Sequence, residues 1–134
     1  MLVLSVKVDQ LGEKLMLNVT IKNIGELAVV ECEGRIVQSE AALQLRKAVT
    51  SQTDARIVVL ELSEVHAIEG GGLGMLVFLQ QWARDHNIRF MLFDPSKCVR
   101  DGLKRVRAIS EFYIPTLDDM MALLTYADSR YAAT

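Results

Sequence analysis

Residues 57–83 read IVVLELSEVHAIEGGGLGMLVFLQQWA, from Ile57 to Ala83. The opening run Ile57-Val58-Val59-Leu60 is β-branched and aliphatic without a polar break, the mark of a strand buried on both faces. A short connection follows, then Gly70, Gly71, Gly72 and Gly74 interrupt the pattern, and from Leu73 the apolar residues take helical spacing. Strand, glycine turn and helix in that order make half of a βαβ unit, because a fully buried strand needs a crossover helix to cover it. The glycines suit a tight corner, and equally they leave room for another backbone to approach the first helical turn. The first N–H groups of a helix lack internal partners, so that end is electropositive and open to an anion or a partner loop.

Outward from this stretch the pattern continues on both sides. Leu2, Leu4, Val6 and Val8 alternate with Ser5 and Lys7, which predicts a half-buried strand. Leu15 to Ile24 and Leu27 to Glu33 are two more strands, joined by Asn23-Ile24-Gly25-Glu26, a sequence suited to a hairpin. Ser39 suits the N-cap of a helix carrying Ala42, Leu45, Ala48 and Val49 on one face. Arg56 to Leu62 is the central strand, Leu73 to His86 the second helix with Asn87 ending it, and Arg89 to Phe93 the next strand, stopped by Asp94-Pro95. Ser96 caps a third helix through about Val106, Phe112 to Ile114 is a short strand or extended link, and Thr116 caps a last helix with the stripe Met120, Leu123, Leu124 and Ala127. The expected fold is therefore α/β: one mixed sheet with an antiparallel hairpin start and a mostly parallel remainder, covered by about four α-helices mainly on one face. Residues 1–15 are expected to add an N-terminal strand, 16–128 to form the domain, and 129–134 a frayed tail.

The totals narrow the function classes. A chain of 134 residues is one domain with room for a sizeable core, and 51% apolar residues is too many for disorder. A net charge of -2 favours neither nucleic acid nor an anionic membrane. Cys32 and Cys98 lie far apart without a CxxC partner, so a reduced cytoplasm is expected and both read as packing residues. No leader or membrane span is expected, because Lys7 and Asp9 end the first apolar run and Gln80, Gln81, Arg84 and Asp85 interrupt the helix from Leu73.

Chemistry-bearing residues are sparse. Glu64, His66 and Glu69 precede the glycines, but His86 falls at the far end of the helix, so no metal site is expected and no cofactor is implied. Glu69 reads as a helix cap or as a charge offered to a partner. The GGGLG run lacks the Gly-Lys-Ser/Thr ending of a phosphate loop and does not fit GxGxxG in register. Helical periodicity sets Met75, Phe78, Leu79, Trp82 and His86 on the side packed against the sheet, with Leu73 and Val77 opposite, beside Gln80, Gln81 and Arg84. Lys97, Arg100, Lys104, Arg105 and Arg107 form a basic run, read as a solvated face or as a match for an acidic partner surface. Nucleophile, base and orienting group never fall close together, so no catalytic residues are expected.

Leu60 to Leu76, LELSEVHAIEGGGLGML, resembles the signature of the STAS domain of bacterial anti-sigma-factor antagonists, in which Asp-Leu-Ser is followed by Asp-Ser-Ser-Gly-Leu-Gly opening a helix. Gly34 to Val37 is similar to the family's Gly-Glu-Leu-Asp, and the likeness runs from about Met16 to Ala127. The resemblance implies a protein that binds an anti-sigma factor which is also a serine kinase and which phosphorylates a serine at the start of the helix. It also leaves open a weak anion site on the N–H groups of residues 71–73, since some STAS domains bind nucleotides. Here the two serine positions read Gly70 and Gly71, the aspartate reads Glu69, and the acidic residue after Gly-Glu-Leu reads Val37. The usual phosphorylation therefore has no acceptor at the family position. With the partner surface placed by this likeness, Glu69, Gly70, Gly71, Gly72, Leu73, Val77 and Arg84 are the expected partner-binding residues, and Ser63 or Ser96 the alternative positions for a modification. The expected role is a cytoplasmic, non-enzymatic regulator of transcription and signal transduction. The alternative is a structural or adaptor subunit of a signalling or transport assembly, its extra edge strand serving a homodimer.

Overall fold

Apolar alternation and local capping lay down nine elements in the computed structural model, which describes residues 2–8, 17–37 and 39–132. In chain order they are β1 (Leu2–Val8), β2 (Leu17–Ile24), β3 (Leu27–Ile36), α1 (Ser39–Thr50), β4 (Ile57–Ile68), α2 (Gly70–Asp85), β5 (Arg89–Phe93), α3 (Lys97–Arg105) and α4 (Leu117–Ala132). The expected start of the domain at Met16 lies outside the described residues. The strands form one sheet in the order β1-β2-β3-β4-β5, antiparallel across the first three and parallel from β3 to β5. Gly25 takes φ 59°, which a side chain resists, so that the two-residue turn Gly25-Glu26 can close Ile24 onto Leu27.

Strand alternation sorts side chains onto two faces. Val19, Val30, Val58, Leu60 and Leu92 point to one face, where α1, α2 and α3 bury them with Leu45, Leu76, Leu79 and Val99. Leu27, Val59 and Met91 point to the other, where α4 covers them with Met120, Leu123, Leu124 and Ala127. Three of the four described helices thus share one face, in line with the expectation of cover mainly on one side, and α4 takes the other: β4 is apolar on both sides, and Val59 would meet water without α4. Phe112 to Ile114 reduces to a single parallel bridge of Tyr113 to Met91, with Leu92 N–H donating to Tyr113 C=O at 3.0 Å.

β3 and β4 also run further than the sequence suggests, to Ile36 and Ile68 rather than Glu33 and Leu62. Their pairing slips twice, between Glu31 and Glu33 and between Gly34 and Arg35, so β4 carries extra residues while the ladder continues. Such bulges break the two-residue period that marks a strand. Consequently Ser63 to Ile68, expected as a connection, is paired strand, and it delivers the chain directly to Gly70.

The caps are local and follow the residue types. Ser96 Oγ accepts from Val99 N–H at 3.5 Å and donates to Val65 C=O at 2.6 Å, fastening α3 to β4. Thr116 and Asp119 cap α4 reciprocally. α2 ends with Asn87 at φ 57°, Ile88 N–H reaching back to Ala83 C=O at 2.8 Å and Asn87 N–H to Arg84 C=O at 3.2 Å. This is a Schellman ending in which buried Ile88 packs at the turn. Replacing Asn87 with β-branched valine is expected to lower stability by about 1–2 kcal/mol, whereas Asn87→Gly leaves it equal or higher, because only glycine and asparagine enter the left-handed region cheaply. Urea denaturation of the two variants checks the order.

Candidate functional site

The four glycines stand inside α2, not in a turn before it, and none of them has a positive φ. They divide by what surrounds them. A Cβ on Gly72 would lie 2.5 Å from Ile36 C=O and under 3 Å from the side chains of Ile36 and Ile68, so this glycine is the contact point of α2 with the end of β3. Among the described residues, a Cβ on Gly70, Gly71 or Gly74 meets nothing within 4 Å. Those three form a bare strip on the outer side of the first two turns.

The helix is rotated from the orientation that periodicity suggested. Leu73, expected on the exposed docking face, is 4% exposed and belongs to the core with Leu76, Leu79 and Ala83. The notch that receives it is Gly102 of α3, where a Cβ would sit 2.8 Å from a Leu73 methyl. Phe78, expected inside, is 39% exposed, and the Arg46 guanidinium of α1 lies 4.4 Å over its ring. Met75 and Trp82 are half-buried, while His86 is exposed and stacks on Trp82. Eight of the residues from Leu73 to Ala83 are apolar, so the wheel offers no polar face to set the rotation; a single glycine contact sets it instead.

Of the expected partner-binding residues, Glu69, Gly70, Gly71 and Arg84 are exposed, Val77 is half-buried, and Gly72 and Leu73 are inside. Glu69 occupies the N-cap position, yet its side chain accepts no capping hydrogen bond. Arg84 is turned along its own helix toward Gln81. The exposed ridge that the structure does assemble is Gly70, Gly71, Gly74 and Phe78 on α2, with Arg46 of α1 over the ring; Leu43, 46% exposed, stands one turn before Arg46 on α1. The sequence pattern does not point to Leu43, Arg46 or Phe78 as surface residues of the site. An arginine facing an aromatic residue from a neighbouring helix leaves no signal in a one-dimensional pattern.

The alternative hydroxyls are poorly presented for modification. Ser96 is half-buried and its Oγ is engaged by Val65 C=O and Val99 N–H, and Ser63 is half-buried beside Glu61. Cys32 is buried, and desolvation, with the Glu61 and Glu31 carboxylates adding, pushes its thiol well above the ordinary range, so it carries no thiolate. Glu64, His66 and Glu69 are each exposed along the strand end, and among the described residues no cluster of histidine, cysteine and carboxylate able to hold a metal ion forms. No described helix is long and apolar enough to cross a membrane. On the second face of the sheet, beyond α4, Glu61 stands opposite Glu31. Partial burial, then the nearby Asp94 and Glu31 charges, raise its carboxyl above the usual 4.5, against the opposing hydrogen bond from Ser63.

Comparison with known proteins agrees with this architecture. The STAS domain family model matches residues 18–120. Among solved structures, the anti-sigma factor antagonist SpoIIAA in its unphosphorylated form superposes with a TM-score of 0.66 at 12% identity, covering 81% of this chain and 96% of its own. An anti-sigma factor antagonist from Mycobacterium paratuberculosis gives 0.67 at 19%, covering 81% and 94%. RsbS from Moorella thermoacetica gives 0.64 at 14%, covering 81% and 95%. At such identities the likeness is one of fold. No curated protein sequence matches the chain.

Two measurements follow from this geometry. Gly72→Ala is expected to destabilise by about 2–3 kcal/mol, since a backbone carbonyl cannot step aside, whereas Gly74→Ala gains about 0.5–1 kcal/mol of helix propensity at an open position. Thermal melts of the pair read both signs. Glu61→Gln is expected to raise the melting temperature at neutral pH, where the folded state holds a disfavoured carboxylate. Because the folded pKa lies above the unfolded one, this penalty fades as pH falls through the folded value and is gone below the ordinary carboxyl value of 4.5. Melts of both proteins from neutral to acid pH should therefore converge.

Proposed function

The chain belongs to the STAS domain family, and from that premise we propose that it is a non-enzymatic regulatory binding module of the anti-sigma-factor-antagonist type. It docks on a kinase-like anti-sigma factor through the uncovered start of α2 and lacks the serine switch of its relatives. The observation that carries this reading is the bare strip itself: among the described residues a Cβ added at Gly70, Gly71 or Gly74 would touch nothing within 4 Å, and no dihedral requires glycine there. Glycine in a helix interior gives up about 0.5–1 kcal/mol relative to alanine, a cost that falls on Gly74 and more lightly on Gly70 and Gly71 in the first turn. A surface kept flat at that cost suits close approach by another backbone. Glu69 and the exposed Phe78, with Arg46 beside it, supply a charge and an apolar anchor at its two ends.

Without a hydroxyl at 70 or 71 there is no acceptor for a phosphate on the strip. In relatives that carry a serine, phosphate adds nearly two negative charges to such a surface and changes what docks there. This chain stays in one binding state, so its control lies in how much of it is present or in what else competes for its partner.

The test is titration calorimetry of the full chain with the kinase-like anti-sigma factor of its own cell. Gly71→Trp and Gly74→Arg are expected to weaken binding at least about tenfold, roughly 1.4 kcal/mol, with unchanged circular dichroism. Incubation with ATP leaves the mass of the wild type unaltered, and Gly71→Ser gains a phosphate. Undiminished binding by both bulky variants, or a phosphate on wild-type residues 69–74, removes the reading. The second reading, an adaptor that self-associates, draws on β1 standing at the sheet edge, with β2 as its one neighbour among the described strands. Light scattering that finds a monomer at all concentrations eliminates it.

A further inference from the structure

We propose that the groove between α3 and residues 107–114 is a second docking site, which takes an acidic amphipathic helical segment of a partner protein. It is a cavity of about 550 Å³ into which Lys97, Arg100, Lys104 and Arg107 all face. With Arg105, these are five of the chain's 15 lysines and arginines within eleven residues, in a molecule whose net charge is -2. Such a concentration against the overall balance sets up a local positive potential that attracts and orients acidic partners.

The cations are only partly used by the chain itself. Lys97 pairs with Asp101 at 3.3 Å in an exposed bridge, and Arg100 Nε donates to Pro95 C=O at 3.0 Å. Lys104 and Arg107 enter no ion pair among the described residues. Asp101 and Glu111 also border the groove and temper its charge without cancelling it.

Spacing identifies the ligand's shape. Within α3 positions 97, 100 and 104 recur at one-turn intervals, so these three cations form a row in which Lys97 to Lys104 spans about 10 Å at 1.5 Å per residue, and Arg107 follows just past the end of the helix. A compact anion meets one or two members of such a row, whereas carboxylates one turn apart on a partner helix meet it in register. The facing wall identifies the ligand's second side. Phe112 and Ile114 line it, with Leu103 of α3 across from them. An apolar stripe beside the carboxylates would be buried there, which a phosphate backbone does not offer.

The groove is already formed. Gln80 of α2 holds the wall through Glu111 C=O and Ser110 Oγ, and Tyr113 is bonded to β5. No residue of the α2 docking strip lines it, so the two surfaces are tested separately.

The probe is a labelled synthetic helix of about four turns, with glutamates one turn apart and leucines on the adjoining face, titrated with the full chain and read by fluorescence anisotropy. Expected is one-to-one binding that weakens with salt, falls at least about tenfold in the double variant Lys104→Glu/Arg107→Glu, falls a few-fold in Ile114→Ala, and is unmoved by Gly74→Arg. All four substituted positions are exposed, and melting curves confirm that each variant is folded. Equal binding of a scrambled peptide, no loss on charge reversal, or displacement by lower concentrations of pyrophosphate or a single-stranded oligonucleotide would each overturn the proposal.

Discussion

The contact between Gly72 and the carbonyl of Ile36 governs how the rest of this molecule presents itself. No larger residue fits there, so α2 comes down against the end of β3 with backbone nearly touching backbone. Once that point is pinned, the rotation of the helix is no longer free. Leu73 turns into α3, where Gly102 leaves the space for it, and Leu76, Leu79 and Ala83 follow onto the sheet. Gly70, Gly71, Gly74 and Phe78 are carried to the outside as a consequence. The pin itself depends on the irregular pairing of β3 with β4, because those two slips let both strands run on to Ile36 and Ile68, the residues that flank Gly72.

The architecture was legible from residues wherever one physical rule acted alone. Alternating apolar residues marked the strands, Gly25 the hairpin, Ser96 and Thr116 the helix starts, and Asn87 the end of α2, each through a local hydrogen bond or dihedral. The stripe Met120, Leu123, Leu124 and Ala127 named the buried side of α4 correctly. Legibility failed where two rules met or where none applied. At Ser63 to Ile68 a bulge overrode the two-residue period and disguised strand as connection. In α2 an almost continuous apolar run left the wheel without direction, and Leu73 and Phe78 exchanged the places expected of them. Which face α4 would cover could not be read from its stripe, since that depends on Val59 having no other cover.

The site therefore separates into parts of different character. Gly72 is a packing residue whose replacement disturbs the fold, while its neighbours Gly70, Gly71 and Gly74 are free of steric and dihedral demand. A family signature read as a string treats all four alike. Only the neighbouring atoms distinguish the glycine the fold requires from the glycines it merely carries, and the carried ones are where a reason outside the fold is needed.

Charge is divided across the molecule in a way that follows from the same packing. On the second face α4 covers Leu27, Val59 and Met91, and beyond it the polar side chains Asn18, Glu31 and Glu61 line a small pocket. The cations gather instead on α3, whose inward side is kept narrow by Val99 and Gly102. Leu73 runs from the first turns of α2 into the middle of that basic helix, so a core contact joins the element of the bare strip to the element of the basic groove. A partner reaching both would gain from the second contact through raised effective concentration. Coupling of an allosteric kind requires two arrangements of the linking element, and the Leu73 methyl seated against Gly102 is the contact that a second arrangement would have to break.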